Sequence, residues 1–393
     1  MLPGPPLRIA VLANFDSPHA WRWMKVFVER GHEIHAISYY RPQAALPGVT
    51  VHVLREAQVH NQAAGGVSGR TIASRLPPSA LRLVNTLRFR RAGLGLLLRE
   101  LQPDVLHAHY VVEHGFFSAL AGFHPLVISA WGSDLFQASR TPAGAFIARY
   151  ALRHADLVSA NDPALIREAI RLGAPPEKAA LVRLGLDEEF LEEPVASVNL
   201  TPNAGPPTIL SDRALEPLYN VDVVIRAFHQ LRNTMPSARL IVAHDGSQRA
   251  RLEQISRESG ETAAIDFAGR VDTARLRELL SSSHVYVSVP SSDSLAASTM
   301  EAMACGAFPL VSDLPSQDGW IIHHVTGLRV PVRDVRALAD SLHGALLDND
   351  LRRAAVAPNR AKVEAEGSLA KNMLVMERHY YRLAGRPVAD EFL

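Results

Sequence analysis

The stretch Val287 to Ser312, VSVPSSDSLAASTMEAMACGAFPLVS, limits the fold more than any other part of the chain. Val285, Val287 and Val289 alternate, as in a strand that stops at Pro290. Ser291 to Ser298 is a loop of small and hydroxyl side chains. The spacing Ser298-Thr299-Met300-Glu301 is that of a capping box and predicts a helix starting at Ser298. Gly306 is placed to end that helix in a left-handed cap, and a second strand follows. A loop of small residues feeding a helix N-terminus suits a phosphate. Two carboxylates flank the loop, Asp293 and Glu301, eight residues apart. The residues alone leave two readings open. Both acids can face one ligand. Alternatively, Glu301 only satisfies the Ser298 N–H and Asp293 only stabilises a turn.

The N-terminal half repeats the alternation of strand and helix. Leu7 to Ala13, LRIAVLA, is a nearly continuous apolar run, as in a central parallel strand. Asn14 to Pro18 is a polar turn. Trp21 to Arg30 is predicted helical, with Trp21, Met24, Phe27 and Val28 on one side. Gly31 stops it and His32 to Ser38 is the next strand, a βαβ start. No GxGxxG follows the first strand, so a dinucleotide site is not supported. Further strands are expected at Asp104 to Tyr110, Leu126 to Trp131, Asp156 to Ser159, Ala180 to Val182, Thr208 to Leu210, Ala238 to Ala243 and Ala264 to Gly269. Pro194 to Pro207, rich in Pro, Asn, Thr and Gly, reads as a linker. At 393 residues the chain can hold two cores. The expected division is residues 1–200, 201–368 and a terminal helical segment 369–393.

Several segments resemble GT-B glycosyltransferases of family 4. Their pattern Pro-Ser-x-x-Glu, seven residues, then Glu-Ala-Met-Ala-x-Gly-x-Pro is met by Pro290-Ser291-Ser292-Asp293 and by Glu301-Ala302-Met303-Ala304-Cys305-Gly306-Ala307-Phe308-Pro309. The step from Pro290 to the first acid is one residue short, and that acid is aspartate. Ser211 to Asn220, SDRALEPLYN, is similar to the family loop in which an arginine and a later lysine hold the donor diphosphate. Arg213 stands at the arginine position and Tyr219 at the lysine position. Gly269-Arg270-Val271 resembles the turn whose backbone meets the nucleotide base. Gly327-Leu328-Arg329-Val330-Pro331 matches the Gly-x-x-Val-Pro signature. In the first half, His107, His109, Tyr110 and the turn Gly132-Ser133-Asp134 resemble the acceptor-domain pattern. Trp131 replaces a histidine that touches the donor sugar in many relatives.

The resemblance implies an α/β chain with two Rossmann-like domains facing across a cleft. It implies a retaining transfer of a hexosyl group from a nucleotide diphosphate sugar, UDP- or GDP-linked, to a hydroxyl acceptor in a glycan, a lipid or a metabolite. Arg213, Asp293 and Glu301 are then the catalytic candidates. Tyr219, Gly269, Arg270, Val271, Ser294, Leu295, Ala296, Ala297 and Ser298 are the donor-binding candidates. His109, Trp131, Asn14 and His19 are placed on the acceptor or sugar side. The resemblance implies no metal and no cofactor beyond the sugar nucleotide as co-substrate. Read from the residues, Asp348-Asn349-Asp350 is a helix boundary rather than a metal motif, and no Cys or His cluster has zinc spacing. Departures at Tyr219, Trp131 and Asp293 keep two rivals in view: a non-catalytic subunit of the same fold, and a sugar-nucleotide epimerase.

Net charge is +1, which gives no bias toward nucleic acid, and the single Cys305 excludes an internal disulfide framework. A reducing, cytoplasmic location is expected, with no signal peptide and no membrane span. One segment stands apart. From Arg70 to Arg99 seven arginines run without an acid, beside leucines at roughly helical spacing. Such a helix either lies on an anionic membrane at the inner face or packs on the core with solvated arginines.

Overall fold

The computed structural model describes residues 4–43, 47–54, 78–191, 197–201, 205–260 and 262–387; the side chains of 78–89, Pro18 and Ser133 are outside that description. The chain forms two compact units. One comprises Met1–Val182 with Met373–Leu393, the other Arg183–Asn372.

The first unit is built on a seven-stranded parallel sheet. Its strands are β1 (Arg8–Leu12), β2 (Glu33–Ser38), β3 (Val49–Val53), β4 (Val105–His109), β5 (Leu126–Ala130), β6 (Leu157–Ala160) and β7 (Ala179–Leu181), in the order 3-2-1-4-5-6-7. β1 is central, with Ile9 beside Ile34 on one flank and Val105 on the other. β4, β5 and β6 are buried along their whole length and are mostly apolar, with His107, His109, Ser129 and Ser159 as their polar members. β3 has no counterpart among the expected strands. It is a half-exposed edge strand of five residues, so its apolar signal is weak.

The expected helix Trp21 to Arg30 runs over Pro18–Glu29, with Pro18 in the first turn where its missing N–H is harmless. Its most buried aromatic besides Phe27 is Trp23, at 1% exposure, which the expected apolar face of Trp21, Met24, Phe27 and Val28 omits. The C-terminal helix runs over Leu369–Leu383, within the expected helical segment 369–393. Its Tyr380 belongs to the first unit and is fully buried. Trp23 Nε1 donates to the Tyr380 hydroxyl at 3.2 Å, and His107 Nδ1 lies 2.5 Å from the same oxygen. His107 Nε2 continues to Ser129 Oγ at 2.7 Å, and Ser129 Oγ to Ser159 Oγ at 2.6 Å. The relay crosses β4, β5 and β6 and satisfies every polar atom it contains. His107 is thus a structural residue.

The segment Pro78–Leu101 is helical. Leu94 and Leu98 are buried in the core of the first unit and Leu97 and Leu101 pack against it. Arg90 lies over the rings of Tyr39 and Phe117, at 4.1 and 4.9 Å, and 3.5 Å from Glu113. The described part of this helix therefore follows the core-packing reading. Arg91 and Arg99 are exposed. Arg70 and Arg75, and the side chains of Arg82 and Arg88, lie outside the described residues. Among the described residues no helix is long and apolar enough to cross a membrane.

The second unit holds a six-stranded parallel sheet: β8 (Thr208–Ser211), β9 (Arg239–Val242), β10 (Ile265–Asp266), β11 (Val285–Ser288), β12 (Phe308–Ser312) and β13 (Leu328–Val330), in the order 10-9-8-11-12-13. Phe228, on the helix Val221–Arg232, sits at the centre of its core. Part of the stretch read as a linker is packed into this unit. Ser197 Oγ donates to the Gly306 carbonyl, and Asn199 Nδ2 donates to the carbonyls of His284 and Gly306. Residues 194–196 and 202–204 of that stretch lie outside the described residues.

His284, just before β11, accepts the Thr208 N–H on Nδ1 at 3.1 Å, a bond only the neutral ring can make. Burial lowers its pKa to about 4, with Arg352 assisting, and burial lowers that of His107 to about 3. A depressed histidine pKa stabilises the fold above the unfolded value of 6.5, and this contribution is lost as pH falls through the folded value. Thermal stability is therefore expected to fall from pH 6.5 downward. In His284→Asn, whose amide oxygen still accepts the N–H but does not titrate, the loss between pH 6.5 and 4 should shrink by roughly 1 to 3 kcal/mol. Thermal midpoints across that range, compared between the two proteins, check this.

Candidate active site

In the second unit the C-terminal ends of the central strands β8 and β11 carry the candidate donor residues, where open parallel sheets bind ligands. Two turns are bound to each other there. Asn220 takes a left-handed conformation, φ 51°, and its Nδ2 donates to the Val289 carbonyl at 2.8 Å and to Ser291 Oγ at 2.9 Å. Ser291 N donates to the Leu218 carbonyl at 2.9 Å. Asparagine is one of the few side chains that enter this conformation readily. On the other side, a Cβ on Gly246 would fall 2.6 Å from the Leu215 carbonyl oxygen, so only glycine lets the two loops meet.

This clamping brings together Arg213, from the end of β8, and Asp293, from the loop after β11. Arg213 Nη2 donates to Asp293 Oδ2 at 2.6 Å and Nη1 donates to Ser298 Oγ at 3.0 Å. The guanidinium carbon lies 4.3 Å from the centre of the Tyr219 ring. Burial works against the charge of Arg213, but Asp293 together with Tyr286, Tyr219 and Asp212 outweighs it, so the pKa is raised. Tyr219 thus supports the face of the guanidinium and also packs on the core. Its expected place as a contact of the donor diphosphate is compatible with this position.

The helix after the loop is Ala297–Ala304, with Ala296 at its N-cap and no side-chain cap. This corrects the predicted start at Ser298. Ala296 offers no side-chain acceptor, so Ser298 is not the capping residue of this helix. Ser298 is instead turned to Arg213 and Tyr286. Gly306, φ 77°, follows the helix in the expected left-handed cap. Leu295 is 5% exposed and belongs to the core, so its side chain is no donor contact. Ser294 is buried and Ala296 and Ala297 are partly exposed. Gly269 has φ 72° and precedes the exposed Arg270 and the half-buried Val271. Arg249 Nη2 donates to the neighbouring Phe267 carbonyl. Cys305 is buried and its thiol is pushed up to about 12 by burial, which makes it a packing residue.

Sequence reasoning missed two residues of this cluster. The Tyr286 hydroxyl, fully buried in β11, donates to Asp212 Oδ1 at 2.9 Å and lies 2.8 Å from Ser298 Oγ. Burial raises the pKa of Asp212, and Arg213 and the phenol draw it back. The one available signal was a tyrosine inside an otherwise aliphatic strand, next to an acid adjoining Arg213.

In the first unit the acceptor-side candidates also gather. His109 ends β4 and is 2% exposed. Its ring lies 5.2 Å from that of Trp131 and 5.5 Å from that of Trp23, and its Nε2 has no protein hydrogen-bond partner. His19 lies in the first turn of the helix Pro18–Glu29, not in a loop, and stacks on Trp131 at 5.5 Å and 18°. Asn14, Ser17, His19, His109 and Trp131 border a small recess with room for about one water molecule. Asp134 holds the turn below Trp131, accepting the N–H groups of Val111, Trp131 and Gly132. His114 fixes the backbone under His109 by donating to its carbonyl. Burial keeps His109 well below the usual histidine pKa, hence neutral. Among the described residues no group of three or more His, Cys, Asp or Glu side chains gathers as metal ligands. Asp348 caps the helix that follows by accepting the Leu351 N–H.

Comparison with known proteins agrees with this arrangement. Residues 194–362 match the family model described as glycosyl transferases group 1, and residues 8–162 match glycosyl transferase 4-like. The chain is 27% identical over 272 residues to a glycogen synthase of Mycobacterium tuberculosis, a match covering 67% of this chain and 64% of that protein. It is 24% identical to N-acetyl-alpha-D-glucosaminyl L-malate synthase of Bacillus anthracis over 84% of each chain. Among solved structures, Anabaena Alr3699/HepE in complex with UDP and glucose shares the fold with a TM-score of 0.71 at 16% identity, over 96% of this chain and 100% of that one. Sucrose-phosphate synthase from Thermosynechococcus elongatus gives 0.74 at 18%, over 96% and 99%. With both halves matched and both parallel sheets in place, the chain belongs to the GT-B glycosyltransferases of the family 4 type.

Proposed function

We propose that this glycosyltransferase moves a hexosyl group from a UDP- or GDP-sugar to a hydroxyl acceptor, with retention of configuration and without a metal. The observation that carries the reading is the placement of Arg213 beside the N-terminus of the helix Ala297–Ala304. A guanidinium and a helix N-terminus converge where a leaving diphosphate gains charge. Glu301, partly exposed on that helix, holds the ribose hydroxyls, and Asp293 meets hydroxyls of the transferred sugar. Tyr219, Gly269, Val271 and the backbone of 294–298 complete the donor side. His109, with its unpartnered Nε2, and the His19–Trp131 stack serve the acceptor or sugar. The solved relative that holds UDP and glucose supports this class of donor. The acceptor belongs to glycan, glycolipid or metabolite synthesis. We also propose a cytoplasmic location. Contact with an anionic membrane would rest on Arg91, Arg99 and the arginines outside the described residues.

Calorimetric titration with UDP and GDP tests the reading. One of the two is expected to bind, and Glu301→Gln should weaken it by roughly 5- to 30-fold, the loss of one or two hydrogen bonds to a charged acceptor. Unchanged affinity in Glu301→Gln removes it from the site.

A further inference from the structure

Arg213 is bracketed by two carboxylates, and they are held very differently. Asp293 touches it directly, at 2.6 Å, from a loop, with its side chain 21% exposed. Asp212 reaches it only through two hydroxyls, and is buried beside β8. The phenol of Tyr286 has one proton, and it goes to Asp212. Ser298 Oγ–H can then donate to the phenol oxygen while Ser298 Oγ accepts from Arg213 Nη1. Every member of this chain is satisfied, so Ser298 and one edge of the guanidinium are fixed from the sheet. The second edge is occupied by Asp293.

A diphosphate has to find donors on Arg213, and of its five N–H groups one on Nη1 is given to Ser298 and one on Nη2 to a carboxylate that an anion would have to sit beside. With both aspartates ionised the cluster also carries one more negative than positive charge, which repels an anion. A guanidinium released from Asp293 without other support would lose its position, since a free arginine side chain has many rotamers. We infer that the Arg213–Asp293 pair is a resting contact which the donor diphosphate displaces, and that Tyr286, with Asp212 and Ser298, is the positioning residue that keeps Arg213 in place when Asp293 leaves. This rests on the reading of Arg213 as the diphosphate holder.

The relay makes opposite predictions for two conservative changes. Asp293→Asn removes the competing charge, so affinity for the bound nucleoside diphosphate should rise, by about 3- to 10-fold. Tyr286→Phe cuts the relay at its centre, so that affinity should fall, by about 10-fold. A merely structural role of Tyr286 would lower thermal stability without changing which phosphate is preferred. Here the ratio of diphosphate to monophosphate affinity, UDP against UMP and GDP against GMP, should drop together with the diphosphate affinity. Ser298→Ala should have a similar effect, and combining it with Tyr286→Phe should add little, because both break one chain. Ser298→Ala also serves if Tyr286→Phe does not fold. The measurements are calorimetric titrations of the intact chain, with Arg213→Ala alongside. If Arg213→Ala binds diphosphates normally, or if the intact chain binds neither UDP nor GDP, the assignment of the diphosphate site itself is wrong. If Arg213→Ala weakens binding but Asp293→Asn does not strengthen it, the resting contact is refuted. If Tyr286→Phe and Ser298→Ala leave the affinity ratio unchanged, the relay is refuted.

Discussion

Arg213→Ala is expected to lower nucleoside diphosphate affinity by about 10- to 100-fold and transfer by roughly a further 100- to 1,000-fold. The first figure corresponds to about 1.4 to 2.8 kcal/mol, the net worth of one charge-assisted hydrogen bond once solvent has been exchanged. The second is the usual effect of removing one preorganised group that meets developing charge. Three features make this residue hard to replace. It is 9% exposed, so its charge is little screened. Its plane is supported by the Tyr219 ring at 4.3 Å, and its fork spans Ser298 and Asp293 at once. Lysine offers a point charge rather than a fork, so Arg213→Lys should recover part of the affinity and little of the turnover. Stability should change far less than activity, because Asp293 is partly exposed and can turn to water. Steady-state kinetics with the bound sugar nucleotide, together with thermal midpoints, separates the two. Normal transfer by Arg213→Ala would remove the centre of the proposed site.

The largest effect on stability is expected away from the charges, in Tyr380→Phe. The ring stays and the volume hardly changes, so no cavity complicates the comparison. What is lost is one hydroxyl that both Trp23 Nε1 and His107 Nδ1 use. Both partners are buried, at 1% and 0% exposure, and water cannot replace the hydroxyl without opening the core. Each buried group left unsatisfied costs about 1 to 3 kcal/mol, so the first unit should lose about 2 to 5 kcal/mol. For a unit of this size that is roughly 5 to 15 °C in the thermal midpoint. His107 and Trp23 also pack against His109, at 4.6 and 5.5 Å, so the acceptor-side recess should loosen with them. A midpoint unchanged within 1 °C or so of that of the parent chain would show that the relay contributes nothing.

Most of the framework was legible in the sequence, for reasons that are local. Central parallel strands are covered on both faces, so β1, β4, β5, β11 and β12 are mostly apolar and stood out as such. Helix ends at Gly31 and Gly306 follow from backbone freedom that glycine alone supplies cheaply. The loop after Pro290 brought out Asp293 and Glu301, and the resemblance to family 4 added Arg213. Neither could say that Arg213 and Asp293 are joined, because eighty residues separate them and only the pairing of β8 with β11, with Asn220 tying the two loops, brings them within 2.6 Å.

The errors have the same origin. The spacing of Ser298 and Glu301 satisfied a capping rule, but the buried Tyr286 and Arg213 supplied better partners for the Ser298 hydroxyl and the helix began earlier. The leucines at 94 to 98 had the same helical period whether they faced a lipid or a core, a choice the residues left open, and it is the core of the first unit that takes up Leu94 and Leu98. The polar stretch around Ser197 and Asn199 looked like a linker until buried carbonyls of Gly306 and His284 claimed its side chains. Periodicity, glycine placement and motif spacing are properties of neighbours in the chain, and the sequence by itself determined those. Which polar group is satisfied by which, and therefore where charge and hydroxyls collect, depends on neighbours in space, and only the tertiary structure decided that.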